Sequence, residues 1–388
     1  MRRERRAHNV SRPARIITVS HQLLRMIDAN LNRSSEGLRV LEDVARFLLN
    51  DAELGQRLRT LRHDLARETK SLSVGLLSQR DSEHDVGRPH SIPFPSKRRK
   101  LNMEATSLRG LLDLVTANAK RVEESLRVVE ELAKLPEISS MLNSARFEQA
   151  RFALYTLERG LVSRVSRRDK IERICGLYVI LDRQFLAGRD ELDIASQIIE
   201  GGARVIQLRD KSRFYRDKKG ELLLVARKLK ELCSQAGVLF IINDYLDLAM
   251  AVDADGLHIG QGDLPLPVVR KELPVDKIVG CSVTTVAQAT KIQNEGADYV
   301  AVGSVFPTTT KKGATVVGVD ILKELKRVVS IPLVAIGGIN QNNIGEVVAA
   351  GADAVAVISA VLGEKNVKKA VQELIVKMDL AKGECQNQ

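Results

Sequence analysis

The apolar positions of this 388-residue chain follow two different rhythms. Through the first half they recur at helical spacing. In "ANLNRSSEGLRVLEDVARFL" (29–48), Leu38, Leu41, Val44, Ala45 and Leu48 fall within one arc of a wheel drawn at 100° per residue. Asn30 and Gly37 lie inside that arc, and Arg33 sits at its edge. The pattern returns 88 residues later in "ANAKRVEESLRVVEELAKL" (117–135). There Leu126, Val129, Leu132 and Ala133 make the stripe, Asn118 and Ser125 lie inside it, and Arg121 is at its edge. "RHDLAR" (62–67) is echoed by "RFEQAR" (146–151), 84 residues on. The pattern predicts an α-helical domain over 18–163, built from two copies of a helix pair. Each copy sends an amide into its apolar side, and a buried amide without partners costs about 1–3 kcal/mol. Two arrangements answer that cost: a contact with backbone or with the other Asn that fixes helix register, or a ligand pocket on a pseudo-twofold axis.

From residue 175 onward the rhythm changes. Short β-branched runs recur at 177–182, 204–210, 239–244, 256–261, 278–283, 299–305, 332–338 and 354–360, most of them separated by helix-like stretches. Each run is apolar throughout, as in a parallel sheet covered on both faces. Eight such units over 175–380 predict a TIM (β/α)8 barrel of the smaller kind rather than a doubly wound sheet.

Composition narrows the function. Trp is absent and aromatics make up 3% of residues, which argues against stacking platforms for single-stranded nucleic acid. Cys175, Cys233, Cys281 and Cys385 show no metal-ligand spacing and read as free thiols of a reducing compartment. Residues 1–174 carry 34 Lys and Arg against 23 Asp and Glu, whereas the remainder is balanced. The excess sits in a basic tail (1–17), in "SKRRK" (96–100) and in an expected basic linker (164–174). Such short runs read as solvated charge or as attraction for phosphorylated metabolites, not as a nucleic-acid face. No signal peptide and no run of about 20 apolar residues is evident, so a cytoplasmic protein with no membrane partner is expected. A second tail is expected at 381–388. The join between the helical copies, 80–100, holds three prolines and a cluster of Asp81, Glu83, His84 and Asp85, suited either to a metal or phosphate contact or to a solvated loop.

In such a barrel the chemistry belongs at the C-terminal strand ends. Read in order, those ends supply Gln207, Arg209, Asp210 and Lys211; Asn243 and Asp244; Asp263; Ser282; Thr308, Thr309, Thr310 and Lys311; Gly337 and Gly338; and Ile358 and Ser359. Arg209, Lys211 and Lys311 can hold a diphosphate. Asp244 and Asp263 are hard oxygen donors suited to Mg²⁺. The backbone at Gly337, Gly338, Ile358 and Ser359 suits a monophosphate. Any one of these has a bland explanation, since a strand-end Asp is often a helix N-cap, but the succession around one barrel mouth is more specific. No Ser–His or Cys–His arrangement for a protein nucleophile is visible. His258 reads as a strand or pocket residue, not a base.

The segments "QLRDK", "INDYLDLAMAVDADGLHIGQGD", "GADYVAVGSVFPTTTKK" and "AIGGIN…AGADAVAVISA" resemble the thiamine phosphate synthases, over about 175–380. That resemblance implies transfer of a hydroxymethylpyrimidine group from its diphosphate to a thiazole phosphate, with Mg²⁺. It assigns the pyrimidine diphosphate to Gln207, Arg209, Lys211, Asn243, Ser282 and Lys311, with Ser282, Lys311, Arg209 and Lys211 as catalytic. The thiazole phosphate falls to Thr308, Thr310, Gly337, Gly338, Ile358 and Ser359, and the metal to Asp244 and Asp263. Three positions depart from the family's usual sequence: Asp210 stands where Glu is usual, "TTT" replaces "TPT", and Thr284 replaces a common His. The helical half, through "DANLNRSSEGLRVLEDVARF", "LRHDLA", "RDSEHDVG" and "NAKRVEESLRVVEE", resembles a hydroxymethylpyrimidine phosphate kinase found fused to such enzymes. This implies ATP as co-substrate, although no P-loop or kinase Gly-rich loop is present. The matching candidates are Asn30, Arg33, Glu36, Arg39, Asp85, Asn118 and Arg121. Rival readings make the helical half a docking or dimerisation module, consistent with a homo-oligomer, and the barrel a thiazole tautomerase.

Overall fold

A computed structural model describes residues 21–78, 108–211, 219–308, 310, 313 and 315–386. The chain divides into two compact units, one reaching Val165 and the other beginning at Ser166.

In the first unit, α1 (His21–Asp43), α2 (Ala52–Glu68), α3 (Ser73–Ser78), α4 (Leu108–Leu132) and α5 (Ser144–Glu172) share one apolar core. Of the expected stripe, Leu38, Leu41, Val44 and Ala45 are buried and Leu48 partly so, and they pack in that core with Val115, Ala119, Val122, Leu126 and Val129 of α4. Gly37 explains its place inside the stripe: a Cβ there would lie 2.6 Å from the Val122 side chain and 3.1 Å from the Asn118 carbonyl. After Asp43 the helix widens into a π-turn, Val44–Leu48, and Asn50 (φ 50°) redirects the chain. Asp51 then caps α2 by accepting from the Leu54 N–H at 3.0 Å.

The duplication carries a second buried feature beside the asparagines. Glu42 and Glu130, 88 residues apart, are both almost fully buried. Glu42 meets Arg59 and Arg62, each at 3.0 Å. Glu130 meets Arg127 at 2.7 Å, Arg151 at 3.2 Å and Lys134 at 3.3 Å. Each copy thus ties its two helices together through one carboxylate.

The second unit is a closed barrel of eight parallel strands in sequence order. They are β1 (Gly176–Asp182), β2 (Val205–Arg209), β3 (Leu239–Asn243), β4 (Gly256–Ile259), β5 (Ile278–Val283), β6 (Tyr299–Val302), β7 (Leu333–Ile336) and β8 (Ala354–Val357). Closure comes from β1 against β8, with Gly176 opposite Ala354. Alternate side chains divide between two layers. Outward residues such as Val179, Phe240 and Val300 pack under the helices. Inward residues, among them Tyr178, Val205, Leu239, Ile278, Tyr299 and Val334, fill the interior.

Two expected boundaries move. The stretch 164–174, expected as a linker, is helical through Glu172. Its apolar residues have cores to join: Val165 is buried in the helical core, and Ile171 and Ile174 pack in the barrel interior. Its charge is not simply solvated either, since Arg167 is buried and donates to Asp298 at 2.9 Å. The tail expected from 381 continues a helix, Val367–Gln386, in which Ala381 is buried. The expected tail at 1–17 and the 80–100 loop, with Asp81, Glu83, His84 and Asp85, lie outside the described residues. No helix among the described residues is long and apolar enough to cross a membrane.

Candidate functional site

A cavity of about 580 Å³ opens at the C-terminal ends of the strands. Its lining includes Gln207, Arg209, Lys211, Asn243, Asp244, Asp263, Ser282, Thr308, Thr310, Gly337, Gly338, Ile358 and Ser359. Every described barrel residue singled out from the sequence for phosphate, pyrimidine or metal therefore meets in one place. Lys311 and Thr309 lie outside the described residues.

The acidic side is built from two turns. Past β3, Asp244 takes φ 63°, a left-handed conformation that an Asp tolerates better than most side chains. Its N–H donates to the His258 carbonyl at 2.8 Å, which fixes the turn. Past β4, the Gly260 N–H donates to the Asp263 carboxylate at 2.7 Å. Asp244 is held above the usual carboxylate range, first by burial and then by its hydrogen bond and charge interaction with Asp263; Lys211, bonded to the same carboxylate, opposes the rise. Two neighbouring carboxylates of this kind favour their ionised forms when a cation sits between them. Among the described residues no group of three or more His, Cys, Asp or Glu is placed to hold a metal ion, so such a cation would need oxygens from elsewhere.

Arg209 is anchored behind the cavity by Asp182, which is fully buried. Asp210, the shorter residue in "QLRDK", is also buried and accepts from Arg183 at 3.1 Å. The opposite wall is backbone. Gly337 (φ 103°) and Gly338 (φ 65°) leave no room for side chains: a Cβ would fall 2.1 Å from the Ser304 Oγ and 2.4 Å from the Pro307 carbonyl respectively. Thr284 and Gln288 meet at 3.0 Å, so the departure at Thr284 is satisfied within its own turn.

The cavity floor joins Gln207, His258 and Ser282, read from the sequence as site or pocket residues, to two tyrosines that were not. The Gln207 amide donates to the Tyr178 hydroxyl at 2.7 Å. Tyr178 and Tyr299 hydroxyls lie 3.0 Å apart. The Tyr299 hydroxyl lies 3.1 Å from His258 Nδ1, and His258 Nε2 lies 2.9 Å from the Ser282 Oγ. Burial drives His258 down to about 4, with Asp263 opposing weakly, so the ring is neutral at ordinary pH. The signal was one of register: Tyr178, Gln207, His258, Ser282 and Tyr299 all fall on inward positions of their strands.

In the helical unit the inward amides are met by their own helices. Asn30 donates to the Met26 carbonyl and Asn118 to the Leu114 carbonyl, each at 2.8 Å. Arg121 donates to the Asn118 carboxamide oxygen at 3.1 Å, and Arg33, Glu36, Arg39 and Arg121 are exposed. The bonds these amides make run along their own helices rather than to each other. Glu123, not singled out from the sequence, is raised to about 7 by burial and by the neighbouring Glu158. Its Oε1 atom is buried without a hydrogen-bond partner.

Comparison with known proteins places both units. Residues 177–361 match the family model for thiamine monophosphate synthase, and residues 25–160 match that of the ThiD2 family. The thiamine-phosphate synthase of Synechocystis sp. is 38% identical over 357 residues, covering 92% of this chain and 96% of its own. That of Clostridium tetani is 44% identical over 200 residues, covering 52% of this chain and 94% of its own. Among solved structures, the thiamine phosphate pyrophosphorylase from Pyrococcus furiosus matches with a TM-score of 0.49 and 38% identity, over 54% of this chain and 98% of that one.

Proposed function

The chain belongs to the thiamine-phosphate synthase family, and from that premise we propose how its residues divide the work. The carrying observation is one cavity with carboxylates and cations on one side and a glycine-lined backbone wall on the other. Arg209, Lys211 and Lys311 bind the diphosphate of the hydroxymethylpyrimidine substrate. Asp244 and Asp263 would hold Mg²⁺, which would neutralise charge on the leaving diphosphate. Gln207, Asn243 and Ser282 orient the pyrimidine diphosphate. Gly337, Gly338, Ile358 and Ser359, with Thr308 and Thr310, hold the thiazole phosphate so that the ring nitrogen faces the pyrimidine methylene carbon. The C–O bond to the diphosphate breaks and the C–N bond forms. The pyrimidine's amino group stabilises the intervening cation, so no protein nucleophile is required.

The test separates the two walls. Lys211→Ala should raise KM for the pyrimidine diphosphate at least tenfold and leave KM for the thiazole phosphate within about twofold. The opposite pattern would reassign the cation wall.

A second reading concerns the helical unit. Residues 25–160 match the ThiD2 family, and we infer from the sequence motifs that this unit phosphorylates the pyrimidine monophosphate with ATP, supplying the barrel's substrate. Arg33 and Arg121, exposed at corresponding places, are the candidates to hold its phosphates, with Asn30, Glu36, Arg39 and Asn118 in the same two motifs and Asp85 in the segment between them. Arg33→Ala and Arg121→Ala should each abolish ATP-dependent turnover of the monophosphate and spare coupling of supplied diphosphate. Folded variants with unchanged phosphorylation would leave the unit as a docking or dimerisation module.

A further inference from the structure

We propose that Gln207, Tyr178, Tyr299 and His258 form a one-directional hydrogen-bond relay that sets Ser282 as a donor toward the substrate. It rests on the reading that Ser282 faces the pyrimidine diphosphate. The direction follows from counting hydrogens. The Gln207 nitrogen is donor-only, so the Tyr178 hydroxyl must accept from it at 2.7 Å. Tyr178 has one hydrogen left to give, and its remaining partner is the Tyr299 hydroxyl, 3.0 Å away. Tyr299 accepts there and gives its own hydrogen to His258 Nδ1 at 3.1 Å. A neutral imidazole that accepts at Nδ1 carries its proton on Nε2. That proton goes to the Ser282 oxygen at 2.9 Å. Among the described residues Ser282 Oγ has no other protein partner, and the residue lines the cavity. Its own hydrogen is therefore free for an acceptor atom of the bound diphosphate.

The relay spans β2, β1, β6, β4 and β5, so five strands fix one hydroxyl. Tyr178 and Tyr299 are essentially inaccessible, and Gln207 and His258 nearly so. Inside such an interior each bond polarises the next, and a reversal at any member reverses them all. Tyr178, Tyr299 and His258 act as positioning residues, because their effect reaches the substrate only through Ser282.

The full-length protein, labelled with ¹⁵N at histidine, tests the direction in the unaltered chain. The His258 signals, identified by their loss in His258→Gln, should report the Nε2–H tautomer. An Nδ1–H tautomer would overturn the relay's direction. Kinetics test the coupling. Ser282→Ala and Tyr299→Phe should each lower kcat/KM for the pyrimidine diphosphate on the order of tenfold, with KM for the thiazole phosphate unmoved. The double variant should be no worse than Ser282→Ala, because both changes remove the same oriented hydrogen. Multiplying losses would overturn the relay while leaving Ser282 on the substrate. Full activity of Ser282→Ala would overturn the placement of Ser282 itself, and this proposal with it, whichever tautomer His258 shows.

Discussion

Asp244 combines an unusual backbone angle, burial and a carboxylate neighbour, and these together set its chemistry. Its left-handed turn sets the carboxylate in the cavity beside Asp263, and burial together with that neighbour holds it above the usual carboxylate range. A divalent cation binds the ionised carboxylates and competes with protons for them, so metal binding should weaken as pH falls. Asp244→Asn and Asp263→Asn keep the shape and remove the charge. Each should cut kcat/KM by about 10²–10³-fold and flatten its response to added Mg²⁺. Full activity of both variants in the presence of a chelator would remove the metal from these residues. The carboxylates were readable from the sequence because strand ends of a barrel are few and their polar residues stand out. The relay beneath them was not, because Tyr178 and Tyr299 count as apolar in any strand pattern. Only the closed barrel brings residues 121 positions apart within 3.0 Å.

Single elements carry the same constraint in packing. A Cβ on Gly280 of β5 would fall 1.9 Å from the Tyr299 ring, so this strand is notched to admit the tyrosine. Gly280→Ala should destabilise the barrel by about 1–3 kcal/mol and displace the Tyr299 hydroxyl. Denaturant melts would read the first effect, and the loss of a fixed His258 tautomer the second. On α4, Glu123 shows the opposite strain. Burial and Glu158 raise its folded value to about 7 from an ordinary 4.5. Between those values the folded form binds more protons than the unfolded one, so this group's contribution to stability falls as pH rises through the window. Glu123→Gln should remove that slope and make the helical unit relatively more stable at pH 8 than the parent. Chemical denaturation at pH 5 and pH 8 checks this, and an unchanged pH dependence would dismiss the carboxyl pair. The helix duplication itself was visible from spacing, and so were the eight strands, since burial on both faces leaves continuous apolar runs. The fate of the amides was not. An Asn on an apolar stripe can turn back on its own helix as easily as reach a ligand, and Asn30 and Asn118 both turn back.

At the scale of the whole chain, each unit has a core of its own, and the Clostridium tetani relative aligns over 94% of its length with only 52% of this chain. That span fits the barrel and not both units. A protein beginning at Ser166 should therefore fold and couple supplied pyrimidine diphosphate to thiazole phosphate at a rate close to the full chain's. The place of the cut matters more than its existence. The sequence puts the border at 174/175, where the basic run ends. The structure puts Arg167 against Asp298 and the Val275 carbonyl, Lys170 against Asp276, and Ile171 and Ile174 in the barrel interior. Among the described residues, removing 166–174 leaves Asp298 with Arg270 as its ion-pair partner, and it uncovers part of the interior layer. A protein beginning at Cys175 should be less stable than one beginning at Ser166 by on the order of 3 kcal/mol, read as a lower denaturant midpoint. Equal midpoints would mean that the end of α5 only leads into the barrel. A lower midpoint for the shorter piece would mean that this basic stretch, which looks like a linker in the sequence, serves as the barrel's first structural element.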